Sequence, residues 1–329
     1  GDINHPQQTH GVAEKLLAAI RLPQTIAGHD VSVTASLGIS VYPDDGLEAI
    51  ELIKKAETAM RNVKEHGHDS IGFFIEAMNQ HAREQHSIES GIRRALQEHE
   101  FVLHYQPKID LRSGTVVGAE ALVRWQKPGH GWIYPADFIP VAEDTGLIVP
   151  LSKWVLGEAC RQTRAWQTAG LPPIRMSVNM SPIDFRQRDF VAGIERVLEQ
   201  TGLAPDWLEI EITEGVLMQN VETTMAALNR LKALGTRLAI DDFGTGYSSL
   251  SYLRRFPIDV LKIDQSFIRG LCNDSNDAAL VSAIISLGKS LGLNVIAEGI
   301  ETAEQLAFLK AHDCEEGQGY FFSKALPAD

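Results

Sequence analysis

From residue 101 onward, short apolar runs alternate with amphipathic stretches, and polar residues fall late in each run. FVLHYQP, VVGAEALVRW, IRMSVNMS, LEIEITE, RLAIDDF, DVLKID, LNVIAEG and GQGYFF have the length and content of strands. Between most of them the apolar positions follow helical spacing, as in PLSKWVLGEACRQTRAWQ and DAALVSAIISLGKSLG. Eight strands separated by helices over roughly 225 residues suit a (β/α)8 barrel, which commonly takes about 250. A doubly wound open sheet shares this alternation, and counting strands does not separate the two.

The region upstream has a different rhythm. VSVTASLGISV, residues 31–41, places Val31, Val33, Ala35, Leu37, Ile39 and Val41 at alternate positions, the pattern of a half-buried strand closed by the turn PDDG. Val12, Leu16 and Ile20 before it, and Ile53, Ala56, Met60 and Val63 after it, recur at helical spacing, and SIGFF reads as a further short strand. About 75 residues make a small core by themselves, so this region reads as part of a domain. A charged helical segment joins the two. The expected organisation is residues 1–78 as the partial region, 79–98 as a linker helix and 99–329 as the barrel.

The chemistry-bearing residues lie at or near the expected strand ends. In order they are Gln106, Glu120, Asn179, Glu211, Asp241 with Asp242, Lys262 with Asp264, Glu298 and Gln318. In a (β/α)8 barrel all strand C-termini converge on one face, where active sites sit. A single carboxylate after a strand is most simply the N-cap of the next helix. Acids on successive strands, with an Asn and a Lys among them, are harder to explain that way. Crowded carboxylates repel and take up protons unless positive charge sits among them. Oxygen ligands without Cys or His select a hard cation, Mg2+ or Mn2+, over zinc.

Adjacent strand residues point to opposite sides, so Asp241 and Asp242 can share a site only where the backbone turns, and FGTG is expected to supply that turn. Two such acids can serve two neighbouring ions, the arrangement used in phosphoester cleavage. Lys262, in VLKID, is either a snorkelling surface lysine or an ammonium held among carboxylates where it orients a nucleophile. Its apolar strand favours the second. GTGYSS lacks the Walker and GxGxxG patterns and reads better as a gate than as a phosphate cradle. His66, His68 and His104 have no companion at metal-ligand spacing.

Composition narrows the partners. An apolar fraction of 44% is that of a globular protein, and a formal charge of −13 argues against gripping long nucleic acid through its phosphates. Cys160, Cys272 and Cys314 are dispersed, without a CxxC pair, which disfavours a zinc site or disulfide framework and suits a reducing, cytoplasmic setting. No apolar run reaches the roughly 18 residues of a membrane span, and GDINHPQQTHG lacks a signal-peptide pattern. A membrane anchor of a larger parent protein would lie outside this sequence.

Over about residues 85–327 the blocks YQPKID, GAEALVRW, FIPVAEDTGLI, SVNMS, EITE, IDDFGTGYSSL, LKIDQSFI, AEGIET and GQGYFFSKAL follow one another in a single order. Through them the chain resembles the EAL-domain cyclic di-GMP phosphodiesterases of bacteria. The resemblance implies a TIM-type (β/α)8 barrel with a variant first strand, and hydrolysis of cyclic di-GMP to linear pGpG with Mg2+ or Mn2+. It implies that Glu120, Asn179, Glu211 and Asp241 hold a first ion, and that Asp242 completes a second site sharing Asp241. Lys262 and Glu298 look like the pair that orders the attacking water, with Glu120 also counted among the catalytic residues. Gln106, Arg124, Glu301 and Gln318 are similar to substrate-side residues, Arg124 meeting a phosphate and Glu301 a guanine. Glu214 is similar to the glutamate that tethers the DDFGTGYSS loop. Pairing of two copies near that loop is a further implication.

VTASLGISVYPDDG and AETAMRNVKEHG resemble the C-terminal half of a GGDEF diguanylate cyclase domain. The glycine-glycine-acid signature is absent from the sequence, and AMRNVK stands where the family has AMYxAK, so a structural or regulatory role is expected. A longer parent chain with an upstream sensor or GGDEF portion is implied. A receptor that holds cyclic di-GMP without cutting it is the alternative, although such members have typically lost metal ligands. An enolase-like metal barrel would not account for the EALVR and DDFGTGYSS blocks.

Overall fold

A computed structural model of the chain describes residues 6–22, 24–26, 29–31, 33–65, 69–218, 221–245, 253–271 and 275–329. These divide into two compact units, Gly1–Ser90 and Gly91–Asp329. Residues 79–98 fall within one helix, Glu76–Glu98, that begins in the first unit and ends in the second. His66, His68, Cys272 and residues 246–249 of the expected gate lie outside the described residues.

In the first unit, helix Ala49–Glu65 rests on a parallel pair of short strands, Leu37–Ile39 and Ile71–Phe73. Glycines make the approach possible: a Cβ at Gly38 would stand 2.0 Å from the Ala56 carbonyl oxygen, and one at Gly72 2.4 Å from the Val63 side chain. The expected strand over residues 31–41 is shorter than its alternation suggests. Val31 ends an antiparallel hairpin, Gln24–Ile26 with His29–Val31, and only Leu37–Ile39 pairs with Ile71–Phe73. The helix faces are also corrected. In Pro6–Arg21 the buried residues are Ala13 and Leu17, whereas Val12, Leu16 and Ile20 are exposed. In Ala49–Glu65, Ala59 and Val63 are buried and Ile53 is exposed.

The second unit is a closed TIM-type barrel. Its strands are β1 Phe101–Asp110, β2 Val116–Lys127, β3 Arg175–Met180, β4 Leu208–Thr213, β5 Arg237–Phe243, β6 Val260–Ile263, β7 Asn294–Ala297 and β8 Glu316–Gly317. Pairing runs in chain order from β2 to β8 with all of these neighbours parallel, and β1 closes the ring antiparallel to both β2 and β8. Closure excludes the open sheet. GQGYFF, expected as a full strand, supplies only Gly317 to the ladder and continues into a turn. A short strand, Gly131–Ile133, extends β2 beyond the barrel.

Alternate residues of the parallel strands are apolar and buried. Met176, Val178, Leu208, Ile210, Ile212, Leu238, Ile240, Leu261 and Ile263 are buried, as are Val155, Leu156, Ile194, Leu228, Leu231, Ile284 and Ile285 on the surrounding helices. Each such side chain contributes about 1.5–3 kcal/mol relative to exposure. Helix ends follow local chemistry: Ser181 and Thr302 form capping boxes with Asp184 and Gln305, and Gly202 closes Phe190–Thr201 in the left-handed region. Among the described residues no helix is long and apolar enough to cross a membrane.

The last turns of helix Glu76–Glu98 are locked to β2. Fully buried Trp125 packs against Phe101 and edge-on against Phe138, and its Nε1 donates to the buried Glu100 carboxylate at 2.8 Å. Arg94 Nε donates to the other oxygen of Glu100 at 3.3 Å. A Cβ at Gly91 would come within 2.6 Å of the indole. Trp125→Phe, which strands a buried carboxylate oxygen, is expected to cost about 1–3 kcal/mol. Gly91→Val, which forces a rigid ring aside, is expected to cost about 1–3 kcal/mol. Urea unfolding measures both, and losses within error of zero would show that this clamp holds nothing.

Candidate active site

The barrel collects its acids at one mouth because β2 to β8 all run the same way. Glu120, Glu211, Asp241, Lys262 and Glu298 converge there. The Lys262 ammonium, fully buried, lies 2.5 Å from Glu211 Oε2, 2.6 Å from Glu298 Oε1, 2.9 Å from Asp241 Oδ1 and 3.6 Å from Glu120 Oε2. Asn179 Nδ2 donates to Glu120 Oε1 at 2.7 Å, which leaves its carbonyl oxygen available as a ligand. Gln318 Nε2 bridges Glu120 Oε2 at 2.7 Å and Glu298 Oε1 at 2.9 Å, and its buried Oε1 has no partner among the described residues.

Two expected positions are corrected. Gln106 and Glu120 stand opposite each other in the middle of β1 and β2, not at strand ends, because these two strands form a long antiparallel pair that outruns the barrel wall. The turn that lets Asp241 and Asp242 share the mouth is made at Asp242 itself rather than by FGTG. Asp242 has φ +53°, and the β5–β6 register shifts between Ile240 and Phe243, so the strand bulges there and reaches Phe243. Left-handed backbone costs an L-residue roughly 1–2 kcal/mol, with Asp and Asn the mildest cases. One carboxylate oxygen from each of Asp241, Asp242 and Glu298 lies within 4.8 Å of the other two.

Other candidate residues ring this cup. Gly244 N donates to Glu214 Oε2 at 3.3 Å where the β5 loop begins, and the buried Glu214 Oε1 has no partner among the described residues. Arg124 is half-buried, its Nη1 on the Val123 carbonyl, with Tyr134 and Tyr320 nearby. Gln106 Nε2 donates to the Ser323 carbonyl at 3.2 Å. Glu301 is exposed, its backbone N–H held by Gln305. Asp264 caps helix Gln265–Gly270. His104 packs edge-on to Trp132, and Cys160 and Cys314 are buried free thiols.

The sequence reading missed a second cation. Lys108, buried on β1, donates to Ser177 Oγ at 2.5 Å, Glu209 Oε1 at 2.8 Å and Glu211 Oε1 at 2.6 Å. Its signal was parity: residues 104, 106 and 108 share one face of β1, so the face that brings Gln106 to the mouth also turns Lys108 into the barrel.

Four carboxylates around one ammonium cannot all ionise cheaply. Burial, reinforced by Asp241, Glu120 and Glu211 against the pull of Lys262, holds Glu298 well above the usual carboxylate range. Burial and Glu211 raise Glu120 as well. Glu211 goes the other way: burial would raise it, but Lys108 and Lys262 together bring it down to about 2. Burial would also lower Lys262, yet the surrounding acids hold it firmly protonated. Asp242 is pushed up to about 6 by burial, then by Asp241 and Asp264. An oxygen-only donor set with such excess negative charge fits a hard divalent cation.

The EAL domain family model matches residues 89–325, and the model described as diguanylate cyclase, GGDEF domain matches residues 2–70. The chain is 42% identical to the bifunctional diguanylate cyclase/cyclic di-GMP phosphodiesterase MucR of Pseudomonas aeruginosa, over 100% of the chain and 48% of that protein. It is 39% identical to the cyclic di-GMP phosphodiesterase PdeR of Escherichia coli, over 96% of the chain and 48% of that protein. It thus spans about half the length of these curated relatives. The solved structure of the PaMucR phosphodiesterase in complex with c-di-GMP superimposes with a TM-score of 0.72 at 44% identity, covering 74% of the chain and 98% of that structure.

Protonation of Asp242 has a measurable sign. Its folded pKa of about 6 lies above the value near 3.9 of an unfolded Asp, so the folded state binds this proton more tightly and loses that advantage as pH rises through about 6. In chelator-treated protein, Asp242→Asn is expected to shrink the fall in melting temperature between pH 5 and pH 7. Identical pH slopes for the two proteins would contradict the raised value.

Proposed function

The chain belongs to the EAL domain family, and from that premise we propose that its barrel hydrolyses one phosphodiester of cyclic di-GMP to give linear pGpG, with Mg2+ or Mn2+ as cofactor. The observation that carries this reading is the Lys262 ammonium inside 3 Å of Glu211, Asp241 and Glu298, with Glu120, Asn179 and Gln318 hydrogen-bonded around it. Glu120, Asn179, Glu211 and Asp241 would hold one ion, and Asp242 with Asp241 a second. When bound, such ions screen the phosphate and acidify the attacking water.

The chain's own groups do the rest. Lys262 and Glu298 order the water for attack on phosphorus, and Gln318, donating to both Glu298 and Glu120, fixes the orientation of those carboxylates. Cleavage breaks the bond to a ribose 3′ oxygen, which leaves as a hydroxyl, while the phosphate stays on the 5′ side. Arg124 meets a phosphate of the ligand and Gln106 contacts it from β1, with Glu301 at a guanine. Glu214 holds the loop start through Gly244, so that Asp242 keeps its place. Residues 2–70 act as a structural or regulatory segment, and two copies of the barrel pair near the loop after Asp242. Residues 1–78, 79–98 and 99–329 are the functional divisions.

Purified protein with Mn2+ or Mg2+ is expected to convert cyclic di-GMP to pGpG, and Glu120→Ala and Lys262→Met each to lower kcat by at least about 100-fold. Chromatography of the products checks this, and bound but uncut ligand would mean a receptor instead. Because carboxylate ligands must shed protons before binding metal, the rise in melting temperature on adding Mn2+ is expected to grow from pH 5.5 to pH 8. A rise independent of pH would speak against the carboxylate set.

A further inference from the structure

Lys108 satisfies all three ammonium donors inside the barrel: on Ser177, Glu209 and Glu211. It reaches them from β1, on the far side of β2 and β3 from β4. The route is open because its partner across the β1–β2 ladder is Gly118, which places no side chain in the lumen, and because Ser177 is small. The reversal of β1 sets its depth. Along β2 to β8 later residues lie nearer the mouth, whereas along β1 they lie deeper, so Lys108 sits below Gln106 and beneath the acid cup. Glu211 is consequently gripped at both oxygens: Oε1 by Lys108 from below, Oε2 by Lys262 from within the cup.

We infer that Lys108 is a positioning residue for the metal site, fixing the Glu211 carboxylate in the orientation that ligates the cation. The inference rests on the phosphodiesterase reading, in which Glu211 is a ligand. A wholly structural ion pair with Glu209 would need only one carboxylate, and Glu209 already receives Ser177 Oγ at 2.8 Å and Arg237 at 3.8 Å. The third donor goes instead to Glu211, whose entire exposed area is nil. Groups that orient metal ligands typically carry 10–100-fold of the metal affinity when removed.

The decisive variant is the double substitution Lys108→Met with Glu209→Gln. It removes one charge of each sign, so the net charge of the lumen is unchanged, and Glu211, which loses Lys108, stays paired with Lys262. Glu209→Gln alone controls for the loss of that acid. Calorimetric or electron-spin titration of the metal-free proteins with Mn2+ gives the affinity, melting curves report folding, and turnover of cyclic di-GMP is measured at saturating Mn2+.

The double variant is expected to melt close to the wild type and bind Mn2+ about 10-fold or more weakly, with a lowered kcat and an unchanged KM for the dinucleotide. Glu209→Gln is expected to keep wild-type Mn2+ affinity, and Lys108→Arg to recover part of the loss. A folded double variant with wild-type Mn2+ affinity overturns the role of Lys108 while leaving the phosphodiesterase reading intact. Wild-type protein that takes up no Mn2+ would overturn that reading and this inference with it. A weakening of equal size in Glu209→Gln alone would assign the effect to Glu209 and overturn the inference.

Discussion

Buried negative charge is the constraint around which this barrel is organised. The shared direction of β2 to β8 turns Glu120, Glu211, Asp241 and Glu298 toward one mouth, where they are largely withdrawn from water. Lys262 in the cup and Lys108 beneath it answer part of that charge, and Glu211, which touches both, is driven strongly toward ionisation. Glu120 and Glu298 are shifted the other way, above the usual carboxylate range, by burial and by the neighbouring acids. The asymmetry favours the charged form of one carboxylate and disfavours that of two of its neighbours.

Two departures from a regular barrel give the cup its shape. The antiparallel β1 delivers Gln106 to the rim and Lys108 to the depth, which a parallel strand with the same sequence would have reversed. The bulge at Asp242 breaks the strict alternation of β5, so that two successive acids share one side. Each departure moves a charged group by a distance that decides whether it can reach the site.

Much of this was legible in the amino-acid pattern. Strand bodies announced themselves by short runs rich in apolar residues, and the placement of acids and amides in or near their ends pointed to one mouth. What escaped notice had physical reasons. Strand direction leaves no mark on composition, so β1 reads like its neighbours and the depth of Lys108 is invisible. A left-handed aspartate looks like any other, and the glycines after it drew attention to the wrong turn. In the first unit, helical spacing fitted Val12, Leu16 and Ile20 as well as Ala13 and Leu17, and periodicity alone cannot say which of two adjacent stripes is covered. Eighth-strand length was overread because GQGYFF is apolar, although Gln318 is needed inside and the residues after it turn away.

The backbone at position 242 also limits the paths by which descendants of this chain can change. Left-handed geometry there admits Asp, Asn and Gly with little strain and burdens branched or bulky residues. A single nucleotide change in an aspartate codon reaches both Asn and Gly. Replacement at this one residue therefore meets little resistance from the backbone, whereas replacement of Glu211 would first have to dismantle two buried lysine contacts.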